Sequence, residues 1–220
     1  MNVQKKKATG TNSRVSLRAR RTQKERRSDS EEALLNAAAE LFAEQGIEKT
    51  SVAAICHHAG YSHGLINRHF GSKDVLVETL AVRCQQSFVD GLDSSSAENG
   101  REAIVTAADE YLKAFAPASP MARCFIVMWG AALATDAGHE SFRQVDEDVR
   151  QRVVVWLESG VEDGSVSSQV NLSAFSAMLI AMLRGLAAQI LISPENIDLG
   201  TVRREVTSFI EMTISKERAR

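Results

Sequence analysis

The sequence contains one run of side chains with metal-binding potential, Cys56-His57-His58. On a helix, neighbouring side chains point about 100° apart, so these three do not converge on one ion without ligands from elsewhere. We interpret Cys56 as half-buried packing and both histidines as surface or turn residues. The other two cysteines, Cys84 and Cys124, are too widely spaced for a disulfide framework or a C-x-x-C zinc site. The sequence therefore predicts no metal and no cofactor, and it fits a reducing cytoplasm.

The motifs of common enzymes are missing from the sequence. It has no G-x-S-x-G nucleophile elbow, no G-x-x-x-x-G-K-[ST] phosphate loop and no H-E-x-x-H zinc motif. A binding protein is therefore favoured over an enzyme. The alternative is a helical enzyme, which a polar catalytic cluster in the second half of the chain would distinguish.

Two short helical patterns, Val52–His58 and His63–Phe70, lie on either side of a tight turn at residues 59–62. Gly60 permits the positive φ that lets two helices cross steeply within a short connection. Thr50 and Ser51 are suited to capping the first helix, and Ser62 is suited to capping the second. This spacing predicts a helix-turn-helix. Its inner faces would be formed by the apolar residues Val52, Ile55, Ala59, Ile66 and Phe70.

The same stretch resembles the signature of the TetR family of bacterial transcriptional regulators. The resemblance rests on Thr50-Ser51 and on the run from Ala59 to Leu76, AGYSHGLINRHFGSKDVL, and it covers roughly residues 30–80. Leu65 and Asn67 stand where the family commonly has threonine and tyrosine. The resemblance implies an all-α protein, in which a three-helix DNA-binding domain precedes a larger helical domain for effector binding and dimerisation. It also implies a repressor that a small hydrophobic or amphipathic molecule releases from a palindromic operator of double-stranded DNA.

In such a protein the second helix of the motif lies in the major groove. The resemblance and this geometry give as base-reading candidates Ser62, His63, Leu65, Asn67 and Arg68. They give as phosphate-binding candidates Thr50, Ser51, His69 and Lys73. Two alternatives stay open at this point: Arg68 could bind phosphate instead of a guanine, and His69 could pack against the first helix.

Charge is concentrated at the N-terminus. Ten basic side chains face one acidic side chain before Ser28, a local charge of +9, whereas the whole chain carries −2. We expect residues 1–27 to be a disordered arm that follows DNA phosphates or enters a minor groove. A purely solvating tail is the alternative. The candidate arm contacts are Arg20, Arg21, Arg26 and Arg27.

The periodicity of the rest predicts helices only. A first helix would run from a cap at Asp29 or Ser30 to Gln45, and a linking helix would run from Ser72 to about Leu92. Five more helices are predicted at about residues 101–115, 121–135, 140–163, 172–192 and 198–216. The predicted division is an arm at 1–27, a DNA-binding domain at 28–75 and an effector-binding and dimerisation domain at 76–220.

Walls of methionine and aromatic residues in the second domain would suit a flexible hydrophobic ligand. Its candidate pocket residues are Phe125, Met128, Trp129, Trp156, Met178 and Met182. Each could instead be ordinary core. Arg123 or Arg184 could receive an anionic head group or could pair with Asp136, Glu140 or Asp146.

The last two helices are the expected dimer interface, with completion of a monomeric bundle as the alternative. The stretch from Phe175 to Ile192 has the length of a membrane span. Because it carries Arg184 near its middle, we predict a protein-buried helix and no membrane partner.

Overall fold

The computed structural model describes residues 22–93, 97–117, 119–133 and 136–215, and this part of the chain is helical without strands. The first half contains α1 (Gln23–Gln45), α2 (Val52–His58), α3 (Leu65–His69) and α4 (Lys73–Asp93). The second half contains α5 (Gly100–Lys113), α6 (Pro120–Ala132), α7 (Asp136–Asp163), α8 (Leu172–Ile192) and α9 (Leu199–Ile214). A single 3-10 turn, Pro194–Asn196, connects α8 to α9. The predicted all-α class is confirmed.

The first helix begins earlier than the sequence analysis predicted. Thr22 and Glu25 form a capping box, in which the Glu25 amide donates to Thr22 Oγ1 at 3.2 Å and the Thr22 amide donates to Glu25 Oε2 at 2.7 Å. This reciprocal pair satisfies two free amides at the helix start. The predicted cap at Asp29 or Ser30 was therefore wrong. Ser30 is instead buried within the helix, where its hydroxyl donates to the Arg27 carbonyl.

The caps of the helix-turn-helix also differ in part from the prediction. Ser51 caps α2 by accepting from the Ala54 amide at 3.1 Å, whereas Thr50 donates its hydroxyl to the Gly46 carbonyl. α3 starts at Leu65, and Ser62 contributes only its carbonyl, which accepts from the Leu65 amide. The predicted cap at Ser62 was wrong because a short turn, residues 62–65, precedes the helix.

The core of the first half extends into the second half of the chain. Buried residues of α1, including Leu34, Ala38 and Phe42, pack in one cluster with Ile55 and Ile66 of the helix-turn-helix. The same cluster contains Cys124, Phe125, Met128, Ala132 and Phe142. α6 packs against both α1 and α4. Helices α1 and α4 of the first half therefore rest directly on a helix of the second half.

A second core lies between α5, α7, α8 and α9. It is built from buried aliphatic residues such as Ile104, Leu157, Leu183 and Ile210. Within the described residues, α8 is the one helix long and apolar enough to cross a membrane by length and composition. It packs against α5, α6 and α7, and it carries the buried Arg184. This packing fits the predicted protein-buried helix.

Candidate nucleic-acid interface and ligand cavity

The turn between α2 and α3 is fixed by glycine and by backbone hydrogen bonds. Gly60 has φ 75°, a left-handed conformation that other L-residues rarely adopt. The Tyr61 amide donates to the Cys56 carbonyl at 2.8 Å and closes the turn. Buried Ile55 and Ile66 hold the two helices together from inside. Gly60, Ile55 and Ile66, on which the prediction of a helix-turn-helix rested, therefore have the expected roles in the structure.

The candidate base-reading residues lie together on the turn and on α3. Ser62, His63, Asn67 and Arg68 are exposed. Leu65 is only half-buried, packing one side of its chain on the core. Tyr61, which the sequence analysis passed over, is 39% exposed on the same surface. Its aromatic ring next to Ser62 was the signal that could have found it.

The candidate phosphate-binding residues divide into two groups. Ser51 is exposed, and half-buried Lys73 donates its Nζ to the Ile47 carbonyl at 2.7 Å. The side chains of Thr50 and His69 are buried, with Thr50 only 1% exposed. His69 Nε2 lies 3.0 Å from Ser30 Oγ on α1. The expectation of phosphate contacts from Thr50 and His69 is corrected, and the alternative that His69 packs against the first helix is the one observed.

The candidate arm residues are also divided. Arg26 and Arg27 lie exposed in the first turns of α1, so they belong to a helix and not to a disordered arm. The capping box described above is the reason. Arg20 and Arg21 lie outside the described residues.

An apolar cavity of about 80 Å³ lies between α5, α7 and α8, with α6 closing one side. Most of its lining is hydrocarbon, with polar atoms from one tyrosine and two arginines. The lining residues are Ile104, Ala107, Ala108, Tyr111, Phe125, Val149, Arg152, Val153, Trp156, Leu179, Ile180, Leu183 and Arg184. Burial raises the pKa of the Tyr111 phenol well above its usual range, so its proton is retained at neutral pH.

Two of the six candidate pocket residues, Phe125 and Trp156, line this cavity. Met128 is buried in the core that α6 shares with the first half of the chain, and Met178 is 57% exposed on the outside of α8. Trp129 and Met182 are partly buried beside the cores without lining the cavity. These four predicted pocket residues do not line this cavity, because α6 and α8 each have more than one apolar face. Composition does not tell which of these faces is internal.

Arg184 is held on three sides. It makes a two-pronged ion pair with Asp146 of α7, with nitrogen–oxygen distances of 2.6 and 2.8 Å. Its guanidinium carbon also lies 5.6 Å from the centre of the Phe125 ring and 5.4 Å from that of Trp129. Cation–π geometry of this kind adds to the ion pair. Of the alternatives left open for Arg184, pairing with Asp146 is therefore the one observed.

No cluster of three or more His, Cys, Asp and Glu side chains suited to a metal ion occurs within the described ranges. His58 Nε2 lies 2.6 Å from Glu40 Oε2 of α1, which joins the end of α2 to the first helix. The candidate site therefore consists of a DNA-facing surface and an apolar cavity.

Known proteins resemble both halves of the chain. Residues 34–80 match the family described as "Bacterial regulatory proteins, tetR family", and residues 100–215 match "BetI-type transcriptional repressor, C-terminal". The HTH-type transcriptional repressor KstR2 of Rhodococcus jostii (strain RHA1) is 30% identical over 149 residues, which is 63% of this chain and 68% of that protein.

Solved structures share the fold. A TetR-family transcriptional regulator from Rhodococcus sp. superposes with a TM-score of 0.77 at 16% identity, covering 86% of this chain and 100% of that chain. A SmeT–triclosan complex superposes with a TM-score of 0.73 at 19% identity, covering 86% and 93%. With these matches, the exposed helix-turn-helix has its explanation: the chain belongs to the TetR family of bacterial transcriptional regulators, and it is a DNA-binding repressor and not an enzyme.

Proposed function

We propose that the protein binds a palindromic operator as a homodimer and is released from it by a small hydrophobic or amphipathic molecule in the cavity. The observation that carries the effector proposal is the cavity itself, because small-molecule sites are usually concave and mostly apolar, with a few polar groups.

The DNA contacts follow from exposure. Ser62, His63, Asn67 and Arg68 would meet base edges in the major groove, with Leu65 available for a thymine methyl group. Ser51 and Lys73 would hold the flanking phosphates. Arg26 and Arg27 extend the basic surface along the start of α1, and Arg20 and Arg21 directly precede it in the chain.

The effector would have an apolar body. At about 80 Å³ the cavity is far smaller than the roughly 300 Å³ or more of pockets that hold drug-sized ligands. A ligand of that size must therefore push its walls apart. One of these walls is Phe125 of α6, and α6 supports α1 and α4. Binding would then displace the support of the DNA-binding helices, which is a physical route to release.

The chemistry of the cavity suggests a ligand with one polar end. Arg152, Arg184 and the Tyr111 hydroxyl lie on its wall, and Arg184 forms its ion pair with Asp146. The structural neighbour SmeT has been solved in complex with triclosan. A small apolar compound with one polar group suits the lining found here.

The proposed dimer interface is formed by α8 and α9. One exposed face of α8 carries small or apolar residues at helical spacing: Ala174, Met178, Ala181, Gly185 and Ile192. Small side chains allow two helices to approach closely, and an isologous pair of such faces closes a twofold dimer. Two DNA-binding heads per dimer match the two half-sites of a palindrome.

The proposed setting is the bacterial cytoplasm, and the proposed division places the DNA-binding domain before residue 76.

The test compares a substitution that fills the cavity with the same substitution at a neighbouring residue outside the cavity. Ala107 lines the cavity on α5, whereas the adjacent Thr106 does not. The probe would be anilinonaphthalene sulfonate, an aromatic anion that fluoresces in apolar sites. Ala107→Phe should reduce probe binding and probe-induced release from the operator, and Thr106→Phe should preserve both. Equal probe binding by wild type and both variants would place the ligand site elsewhere.

A further inference from the structure

Four sulfur-containing side chains meet where α4 packs on α6. Met121, Cys124 and Met128 follow one another along one face of α6, since residues three or four apart on a helix share a face. Cys84 approaches them from α4, with its Sγ donating to Met121 Sδ at 3.0 Å. Cys124 Sγ donates to Met128 Sδ at 3.3 Å, and the two thiols lie within hydrogen-bonding distance of each other. These four side chains are called the sulfur cluster below.

We propose that the sulfur cluster binds one soft monovalent cation, Cu(I). Thiolate and thioether sulfur atoms are the protein ligands that select Cu(I) over harder ions. Three of the four side chains are fully buried and Met121 is half-buried, so the donors are shielded from water. An ordinary apolar contact between two helices needs no sulfur, yet here two helices contribute four sulfur atoms to one place.

The geometry requires a small expansion. Metal–sulfur bonds of about 2.3 Å in a tetrahedral arrangement place neighbouring sulfur atoms roughly 3.8 Å apart. The two hydrogen-bonded sulfur pairs are closer than this, so each must open by somewhat less than about 1 Å to admit an ion between them. Both pairs contain a methionine, whose three rotatable bonds and unbranched chain accommodate such shifts.

The charges also balance. Cu(I) and one thiol give a copper–thiolate bond and one released proton, so the net charge of the buried site does not change. The second thiol and the two thioethers complete the coordination as neutral donors, and no electron is transferred. A neutral site avoids the large cost of an isolated charge in an apolar interior.

Oxidation of the two thiols is a poorer use of the cluster. The hydrogen bond with Cys84, together with burial, holds the pKa of the Cys124 thiol far above its usual range. Peroxides react with the thiolate and hardly with the thiol. Cu(I) binding must remove the same proton, and the strength of the copper–sulfur bonds would offset the cost of removing it.

The first experiment is a titration of the reduced full-length protein with Cu(I) under anaerobic conditions, in competition with the chelator bathocuproine disulfonate. The expected result is one tightly held Cu(I) and one released proton per chain. X-ray absorption should show only sulfur neighbours, at about 2.3 Å. Nitrogen or oxygen neighbours, or a stoichiometry well below one, would overturn the proposal.

Matched variants assign the ligands. Cys84→Ser with Cys124→Ser should abolish tight binding, whereas Cys56→Ser, which alters an equally buried thiol outside the cluster, should retain it. Met121→Leu with Met128→Leu conserves volume and fold, and should weaken Cu(I) binding roughly tenfold or more. The control is Met212→Leu, which alters an exposed methionine outside the sulfur cluster and should leave the Cu(I) affinity unchanged. Wild-type affinity in the Met121 and Met128 variant, or an equal loss in the Cys56 variant, contradicts the four-sulfur site.

Discussion

Arg68 lies exposed on α3, two residues after the buried Ile66 that anchors the helix. A guanidinium in this position can make two parallel hydrogen bonds to a guanine, and each good pair of this kind discriminates by roughly 1 to 3 kcal/mol. The same group could hold a phosphate, which carries no sequence information. The two roles differ in what they do to specificity.

Arg68→Ala should weaken binding to the operator by roughly 5-fold to 150-fold while changing non-specific binding little, because a base contact is lost. Fluorescence anisotropy with operator and scrambled duplexes measures both affinities. Arg123→Ala removes an exposed arginine from α6 and serves as the charge-matched control. Equal losses on both duplexes would assign Arg68 to a phosphate.

Gly60→Ala should destabilise the protein by roughly 1 to 2 kcal/mol, because an alanine side chain is strained at φ 75°. Gly64→Ala is the control: Gly64 has φ −80° and no heavy atom within 4 Å of an added Cβ. It should leave stability unchanged or raise it slightly. Urea unfolding of both variants gives the comparison, and equal effects would show that the turn tolerates a different backbone conformation.

At the residue scale, the sequence predicted which polar side chains of the turn and α3 are exposed, but not which polar side chains point inward. Ser62, His63, Asn67 and Arg68 are polar and exposed, as the amphipathic pattern indicated. Thr50 and His69 are also polar, yet they point inward to partners on other segments, the Gly46 carbonyl and Ser30. A polar residue with an internal partner looks the same in sequence as one that faces solvent.

Among the elements, α5 and α9 are joined by a charged pair. Arg203 of α9 donates its Nη2 to Asp109 Oδ2 at 2.7 Å, and Lys113 lies 2.9 Å from the same carboxylate. The hydrogen bond from Arg203 is the largest cause that holds the pKa of Asp109 below its ordinary value. Because this pKa is lower in the folded state, the pair stabilises the fold above the unfolded pKa of about 3.9. That contribution is lost as pH falls through the folded value.

Arg203→Leu should therefore lower the free energy of unfolding by about 0.5 to 1 kcal/mol at pH 7, the upper range for partly exposed pairs. The difference from wild type should shrink below about pH 4 and vanish once the wild-type carboxylate is protonated. Arg204→Leu, one residue along α9 and more exposed, is the control. Urea unfolding between pH 3 and 7 measures the effect, and a pH-independent difference would mean that packing of the Arg203 chain, and not its charge, stabilises the contact.

Helix positions were predictable and some helix starts were not. Ser72 caps α4 as expected, with its Oγ accepting from the Val75 amide at 3.2 Å. The predicted start of α1, at Asp29 or Ser30, lies close to the first apolar residues of the helix. The actual cap, Thr22, lies before any apolar residue of the helix, so apolar periodicity does not indicate it. Local capping signals extended the helix beyond its buried stripe.

For the molecule as a whole, the central prediction concerns association. Ala181→Glu places a charge on the exposed small-residue face of α8 and should convert the proposed dimer into a monomer with greatly weakened operator binding. Analytical ultracentrifugation and anisotropy measure the two effects. Ala131→Glu, at an exposed position on α6, is the matched control and should remain dimeric. A dimeric Ala181→Glu protein would move the interface away from this part of α8.

Whole-molecule features were the hardest to obtain from sequence. The helical composition and the family resemblance predicted two domains, but not that α6 would complete the core of the first. The cavity was predicted to exist, yet only Phe125 and Trp156 of its lining were identified, because the position of a void depends on how four helices are rotated against each other. Hydrophobic periodicity predicts which face of a helix is apolar, but not which other helix packs against that face.

The position of α6 has a thermodynamic consequence. One side of this helix touches the cavity through Phe125, while other residues of the same helix support α1 and α4. Coupling between two sites is reciprocal, so an effector that lowers operator affinity by some factor must itself be bound more weakly, by that same factor, when operator is present. The protein would therefore capture its ligand mainly while it is off DNA. Operator sites would then set the ligand concentration at which the gene is switched on.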